Sequence, residues 1–131
     1  MTTFYNETLE TGSKGEARPY SELISRTEYY WPFQPVKSIP SCIVGWDKRP
    51  WFEDENFIYY NQKTPELFYR FLKDAVDFTY KRKPQFPAIM IYAWNELGEG
   101  GYLVPTKGDR RAKYLKQVKQ VKSYEKKTYR R

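Results

Sequence analysis

The chain contains no histidine and only one cysteine, Cys42, among its 131 residues. The usual zinc sites, the Ser-His-Asp triad and the Cys-His dyad need these residue types, so the sequence excludes them. A disulfide within the chain is excluded because it needs two cysteines. Cys42 lies in an apolar run, which is typical of a buried structural thiol. We therefore expect no metal and no cofactor, and carboxylates remain as the acid–base pair.

Long apolar runs are also absent. No stretch reaches the roughly 18 uninterrupted apolar residues of a membrane-spanning helix, so none is expected. The first seven residues lack both a basic region and an apolar segment, so we expect no secretory signal and a cytoplasmic location. With 40% hydrophobic, 30% charged and 19% aromatic residues, the composition is that of a globular protein rather than a disordered one.

The stretch with the most chemistry is Ile89–Pro105. Its first part is apolar, and we predict a strand over Ala88–Trp94 that is buried on both faces of a parallel sheet. Its second part is polar and rich in glycine, and it carries Glu96 and Glu99. Carboxylates released at a strand end lie where α/β proteins keep their active sites. A solvated loop with surface glutamates is the alternative, but Trp94 and Tyr102 bracket the acids, which suits a sugar site.

A family resemblance rests on these same residues. Residues 94–100 read Trp-Asn-Glu-Leu-Gly-Glu-Gly, which resembles the Trp-Asn-Glu-Trp-x-Glu-Gly signature of the WbsX-type, family 99-like group of glycoside hydrolases and glycosyltransferases. Leu97 replaces the usual tryptophan, and Val104 stands where a glutamate often follows. The resemblance implies a (β/α)8 barrel with this signature after its last strand.

A second motif of the same family occurs earlier in the chain. We predict a buried strand over Ser41–Trp46, and residues 45–50 read Gly-Trp-Asp-Lys-Arg-Pro. They resemble the family's Gly-Trp-Asp-Asn-x-Pro element, with Lys48 replacing the asparagine. Arg49 is expected to pair with Asp47 or with an acid between residues 53 and 55. Two motifs in the expected order make the resemblance stronger than either motif alone.

Helix signals complete the order of elements. A short helix over Tyr20–Tyr30 is predicted, and Thr64-Pro65-Glu66 combines an N-cap, a proline at the first position and an acid in the first turn of a second helix. Pro84 is expected to end that helix. A third helix is expected from Asp109 to about Lys126.

The predicted fold class is α/β, as the C-terminal portion of a (β/α)8 barrel. Residues 1–40 are expected to be an irregular segment with the short helix, 41–127 the last two βα units, and 128–131 a basic tail. A right-handed crossover makes the two strands parallel, yet two strands cannot cover both of their faces. A whole barrel takes about 250 residues. We therefore expect the chain to be a C-terminal fragment of a longer protein or a truncated gene product, with the missing N-terminal strands of the barrel as its partner.

The resemblance also implies roles for individual residues. Glu99 would be the general acid/base, and Glu96 would engage the sugar 2-hydroxyl and assist neighbouring-group attack with retention of configuration. The expected substrate is a mannose-like sugar of a polysaccharide or lipopolysaccharide. Five further residues are predicted to bind it: Trp46, Asp47, Trp94, Asn95 and Tyr102.

Three functions stay open at this point. The first is a hydrolase or glycosyltransferase, with the isolated chain inactive; the second is a non-catalytic module for sugar binding or polysaccharide assembly. The third is a basic nucleic-acid binder, because residues 107–131 hold 11 Lys and Arg against Asp109 and Glu125. However, Tyr114, Val118 and Val121 follow helical spacing, which favours an amphipathic helix with a solvated basic face. Nucleic-acid binding is not expected.

Overall fold

The computed structural model describes residues 15–34, 38–51, 57–84 and 86–130. Its helices are α1 (Tyr20–Tyr30), α2 (Pro65–Lys81) and α3 (Lys113–Tyr129), with short 3₁₀ turns at Trp31–Phe33 and Leu97–Glu99. Its strands are β1 (Ala17–Pro19), β2 (Ser41–Ile43), β3 (Tyr59–Asn61), β4 (Met90–Tyr92), β5 (Asn95–Glu96) and β6 (Gly101–Tyr102). This mixture of helices and strands confirms the α/β class.

The strands form parallel pairs at the centre of the fold. β2 pairs with β4, with Cys42 opposite Ile91, and β1 pairs with β3. A hydrogen bond from the Tyr60 amide to the Trp46 carbonyl, 2.9 Å long, connects β3 to the end of the β2 segment. The described residues contain no closed barrel, so the barrel stays a prediction.

Two expectations about the strands were wrong. β1 falls in residues 1–40, which we expected to be irregular apart from a short helix, and β3 was not predicted. Each is three residues long and is stabilised by pairing with the other rather than by its own pattern. β4 is shorter than predicted, and its residues are only partly buried instead of covered on both faces. The reason is that β2 is the only strand paired with β4 in the described part of the chain, so one edge of β4 stays open.

The helix starts show which local signals worked. The Thr64 hydroxyl accepts a hydrogen bond from the Leu67 amide at 3.2 Å, which confirms Thr64 as the N-cap of α2. α3 begins at Lys113, four residues after the predicted start, and the Asp109 carboxylate accepts from the Lys113 amide at 2.7 Å. α3 then continues to Tyr129, whose ring stacks on Tyr80 with centroids 4.2 Å apart.

The core lies where α1, α2 and β2 meet. Its fully buried side chains include Tyr20, Leu23, Ile24, Cys42, Phe68, Phe71 and Leu72. Cys42 is buried, as expected for a structural thiol, and this burial raises the pKa of the thiol well above its usual range. α3 packs on this core through Val121 and the partly buried Tyr114 and Val118.

A cavity of about 290 Å³ lies between α2, α3 and residues 87–91. None of its lining residues belongs to residues 94–104, which we call the acidic loop because they carry Glu96 and Glu99. Its walls are largely apolar, with Leu72, Val76, Ile89 and Ile91 among them. The helix side of β4 is therefore incompletely filled by the described residues.

We expect the stability of the protein to fall between about pH 4.5 and pH 7 because of Glu28. Burial, together with the charge of Asp74, raises the pKa of Glu28 from 4.5 to about 7. Over this range the unfolded chain loses the Glu28 proton while the folded chain still holds it, so rising pH favours unfolding. In Glu28→Gln, the free energy of unfolding should fall by about 1–2 kcal/mol less over this pH range than in the wild type. This figure allows for solvent screening of a half-exposed group.

Urea unfolding at pH 4.5 and pH 8 measures this effect, with Glu66→Gln, a change at an exposed position of α2, as the matched control. The expected result is a flatter pH dependence in Glu28→Gln alone. An unchanged dependence in Glu28→Gln would contradict the assignment.

Candidate functional site

The two predicted motifs contact each other at the carboxyl ends of the strands. Asp47, which follows β2, donates its backbone amide to the Glu99 carbonyl at 2.7 Å. Lys63, which follows β3, donates its ammonium to the Gly100 carbonyl at 3.1 Å. β2 and β4 are parallel and end at the same edge of their sheet, and the hydrogen bond from Tyr60 to Trp46 places the end of β3 beside them. The segments after β2, β3 and β4 therefore come together here.

The backbone of the acidic loop is held by its own hydrogen bonds. β5 and β6 pair antiparallel, with Asn95 opposite Tyr102, and the 3₁₀ turn between them carries Glu99. Gly100 ends this turn with φ of 71°, a left-handed conformation that favours glycine. The Trp94 carbonyl accepts from the amides of Leu103 and Val104 at 2.9 and 3.2 Å. The loop that holds both glutamates is thus fixed at each end.

Gly45 allows the two motifs to approach this closely. A Cβ atom at Gly45 would collide with the Gly100 carbonyl oxygen and lie 3.0 Å from the Lys63 ammonium. On the other side of the loop, the indole of Trp51 covers Gly98 so closely that a Cβ there would overlap it. Glycine is therefore required by space at Gly45, where the clash is with backbone, whereas a larger residue at Gly98 would have to displace the exposed Trp51 indole.

The two carboxylates differ in how they are held. The Tyr92 hydroxyl, at the end of β4, donates a hydrogen bond to the Glu99 carboxylate. Glu96 is partly buried, and none of the described side chains donates a hydrogen bond to its carboxylate. Glu99 is thus oriented by the strand below it, whereas Glu96 is open to an added ligand.

Three of the predicted sugar contacts surround the glutamates. Trp94 is 56% exposed and offers an open ring face, and Asn95 is also exposed. Tyr102 is partly buried, and its ring is covered on one side by the Lys63 ammonium, 4.4 Å from the ring centre. These positions leave Trp94 and Asn95 as the most accessible of the predicted contacts.

The two predicted contacts from the first motif lie deeper. Asp47 pairs with Arg49 through contacts of 2.8 and 2.9 Å, and this hydrogen-bonded guanidinium lowers the pKa of Asp47. The expected Asp47–Arg49 pairing is confirmed. Trp46 is only 2% exposed and packs against Tyr92. A sugar can stack on Trp46 only if its ring becomes accessible, so that contact stays a prediction.

The comparison with known families agrees with both motifs. Residues 2–118 match the family described as glycosyltransferase WbsX. The chain belongs to this family. The match includes the whole contact between residues 45–50 and residues 94–100, so the resemblance seen in the sequence is confirmed. The family is one of carbohydrate-active enzymes. No curated protein and no solved structure matches the chain.

Three residues of the site did not follow from the sequence. Trp51 is 63% exposed beside the acidic loop, directly after the six residues that carry the first motif. Tyr92 lies inside the predicted strand, where nothing in the pattern marks its bond to Glu99. Lys63 belongs to neither motif. Its position depends on the pairing of β3, which the sequence did not predict.

Other kinds of site find no support among the residues that the structure describes. No group of three or more His, Cys, Asp or Glu side chains there could hold a metal ion. No helix in those ranges is long and apolar enough to cross a membrane.

Proposed function

We propose that this chain supplies the acidic part of the sugar site of a WbsX-type carbohydrate-active enzyme. The observation that carries the proposal is the 2.7 Å hydrogen bond from Asp47 to the Glu99 carbonyl, because it joins the two family motifs at the carboxyl ends of the strands. Catalytic residues of α/β proteins concentrate at such strand ends. The bond-breaking step is assigned to Glu96 and Glu99.

Glu99 is the general acid/base of this proposal. Cleavage of a glycosidic bond needs a proton delivered to the leaving oxygen and assistance to attack at the anomeric carbon. The Tyr92 hydroxyl holds the Glu99 carboxyl from the strand side. Glu96 takes the proton of the sugar 2-hydroxyl, whose oxygen attacks the anomeric carbon as a neighbouring group while the glycosidic bond breaks and Glu99 protonates the leaving oxygen. In a second displacement, water or an acceptor hydroxyl gives its proton to Glu99 and attacks the anomeric carbon, the bond to the sugar O2 breaks, and Glu96 returns the proton to O2. Two inversions at the anomeric carbon give retention of configuration.

The aromatic side chains give the sugar its apolar surface. Trp94 is exposed at the start of the loop that carries both glutamates, and its ring suits the C–H face of a pyranose. Asn95 and Asp47 provide hydrogen-bonding groups for hydroxyls. The proposed substrate class is a mannose-like sugar of a polysaccharide or lipopolysaccharide.

Transfer is favoured over hydrolysis by the description of the family as a glycosyltransferase. The chemistry at the acids is the same in both cases, since the second displacement uses either water or the hydroxyl of an acceptor sugar. What differs is whether the site excludes water and binds an acceptor.

The site also needs walls that these residues do not supply. β4 has an open edge, its residues are only partly buried, and a cavity of about 290 Å³ lies beside it on the helix side. An open parallel edge with an unfilled apolar neighbour is the expected appearance of a barrel lacking its other strands. We propose that those strands come from polypeptide outside these 131 residues.

The test uses the protein purified from its source cells. It is incubated with a mannose-containing oligosaccharide in water, and separately with a nucleotide-sugar donor and an acceptor sugar. An elongated acceptor is the expected product, and a released reducing sugar would make the enzyme a hydrolase. If the protein binds the sugar but forms neither product, it is a non-catalytic sugar-binding module and not an enzyme.

A further inference from the structure

Lys63 is an unusual cation in this structure. Its side chain is partly buried beneath the acidic loop, where the ammonium donates to the Gly100 carbonyl at 3.1 Å. The same ammonium lies 4.4 Å from the ring centre of Tyr102 and 5.0 Å from that of Tyr114. The Lys63 backbone is fixed as well, because its carbonyl accepts from the Tyr114 hydroxyl at 3.0 Å.

No carboxylate of the described residues forms an ion pair with Lys63. Two cations on the outer elements do form ion pairs, Arg18 with Glu22 and Lys73 with Asp77, each at 2.7 Å. Burying a cation without an ion-pair partner costs free energy. Burial lowers the pKa of Lys63 to about 8, while the charge of Asp109 acts in the opposite direction. A neutral side chain would fill this space at a lower cost, so the charge needs another explanation.

The acceptor of the Lys63 hydrogen bond supplies that explanation. Gly100 directly follows Glu99, and its carbonyl lies over Gly45 of the first motif. Lys63 therefore connects the end of β3 to the turn that carries the proposed acid/base. This contact is separate from the Asp47–Glu99 hydrogen bond, which connects the end of β2 to the same turn.

We propose that Lys63 is a positioning residue that holds the turn of Glu99 in place through the Gly100 carbonyl and the faces of Tyr102 and Tyr114. The ammonium is the competent form, because loss of its proton removes both cation–π contacts and weakens the charge-assisted hydrogen bond. The effect of Lys63 on turnover rests on the proposed function, whereas its effect on the structure of the loop does not.

The titratable and charged groups around Lys63 determine whether a change near pH 8 can be assigned to its ammonium. Tyr102 and Tyr114 contribute ring faces, and the pKa of Tyr114 is raised to about 12 by its burial, so Tyr114 titrates well above Lys63. Asp109, before α3, contributes a negative charge, and Glu99 lies on the same loop as the Gly100 acceptor. Arg49 is paired with Asp47 on the neighbouring segment.

The experiment measures the loop directly in the full 131-residue chain, without substrate. Amide hydrogen exchange at Asp47 reports its bond to the Glu99 carbonyl. We expect Lys63→Met to speed this exchange by about tenfold at pH 7, the effect of losing a charge-assisted hydrogen bond. Lys63→Arg should restore most of the protection. Lys119→Met, at an exposed position on α3, is the matched control and should leave exchange unchanged.

A pH titration followed by NMR distinguishes the charge of Lys63 from its packing, because a loss of packing alone would not change the pH dependence of the amide resonances. The Gly100 and Gly101 amide resonances of the wild type should shift with a midpoint near pH 8, and this transition should be absent in Lys63→Arg. Unchanged Asp47 exchange in Lys63→Met, or an identical titration in Lys63→Arg, would overturn the proposal. If Lys63→Met does not fold, the wild-type and Lys63→Arg titrations decide. A negative result in these experiments says nothing about the turnover of a Glu99→Gln variant, which tests the proposed function. The two proposals can therefore fail separately.

Discussion

Glu99→Gln is expected to lower turnover by the enzyme from source cells by about 10²–10⁴-fold, the usual contribution of a general acid/base. Glutamine has nearly the same shape as glutamate, and its carbonyl can still accept from the Tyr92 hydroxyl, so the loop should keep its structure. The amide cannot deliver a proton to the leaving oxygen. The measurement is the rate of product formation with the donor and acceptor of the preceding assay.

Sugar binding should survive this substitution, because Trp94 and Asn95 are unchanged. Retained binding with lost turnover would distinguish an enzyme from a module that only binds sugar. Glu66→Gln on the exposed side of α2 is the control and should leave the rate unchanged. A Glu99→Gln rate within about threefold of the wild-type rate would remove Glu99 from the role of acid/base, since a general acid contributes far more.

Phe71→Ala is expected to lower the free energy of unfolding by about 3–5 kcal/mol. Phe71 is fully buried in the centre of the core, where its ring stacks on Trp31 with centroids 5.7 Å apart. Truncation to alanine leaves a cavity that α1 and α2 cannot fill without moving. A small domain has only about 5–15 kcal/mol of stability, so this one change should bring the protein close to unfolding.

Phe86→Ala provides the matched control, since Phe86 is 79% exposed. Its effect should stay within about 0.5 kcal/mol. Chemical denaturation followed by circular dichroism measures both variants. Equal losses in the two variants would contradict the assignment of the core to α1, α2 and β2.

Much of the helical structure could be predicted because its signals are local. Thr64, Pro65 and Glu66 specify the start of α2 within three residues, and the observed cap agrees. The start of α3 was misplaced since Ala112 adopts a left-handed conformation before the helix, with φ of 49°. Nothing in the residue types at that point predicts such a conformation, because alanine rarely adopts it.

The short strands depend on partners far along the chain. Ala17 pairs with Tyr59, and neither segment shows an alternating pattern that would mark it as a strand on its own. For the same reason Lys63 was missed, because its place under Gly100 follows from the position of β3. The position of the two motifs after parallel strands was better predicted, since a right-handed crossover makes their two apolar strands parallel.

Side-chain exposure at the site was the least predictable property. Trp46 and Trp94 both follow an apolar strand, yet one is 2% and the other 56% exposed. The difference arises from the neighbours of each ring: Trp46 packs against Tyr92, whereas Trp94 projects from the start of the acidic loop. Such neighbours are determined by the folded chain and not by the motif.

We propose that this acidic loop completes a barrel whose other strands belong to the same polypeptide, outside these 131 residues. The most direct test is the mass of the native polypeptide in its source cells, by immunoblot with an antibody against Ile89–Pro105. We expect a band well above 15.8 kDa, because a barrel of this type takes about 250 residues. A single band at 15.8 kDa would contradict it, since one chain could not then supply the missing walls of the sugar site.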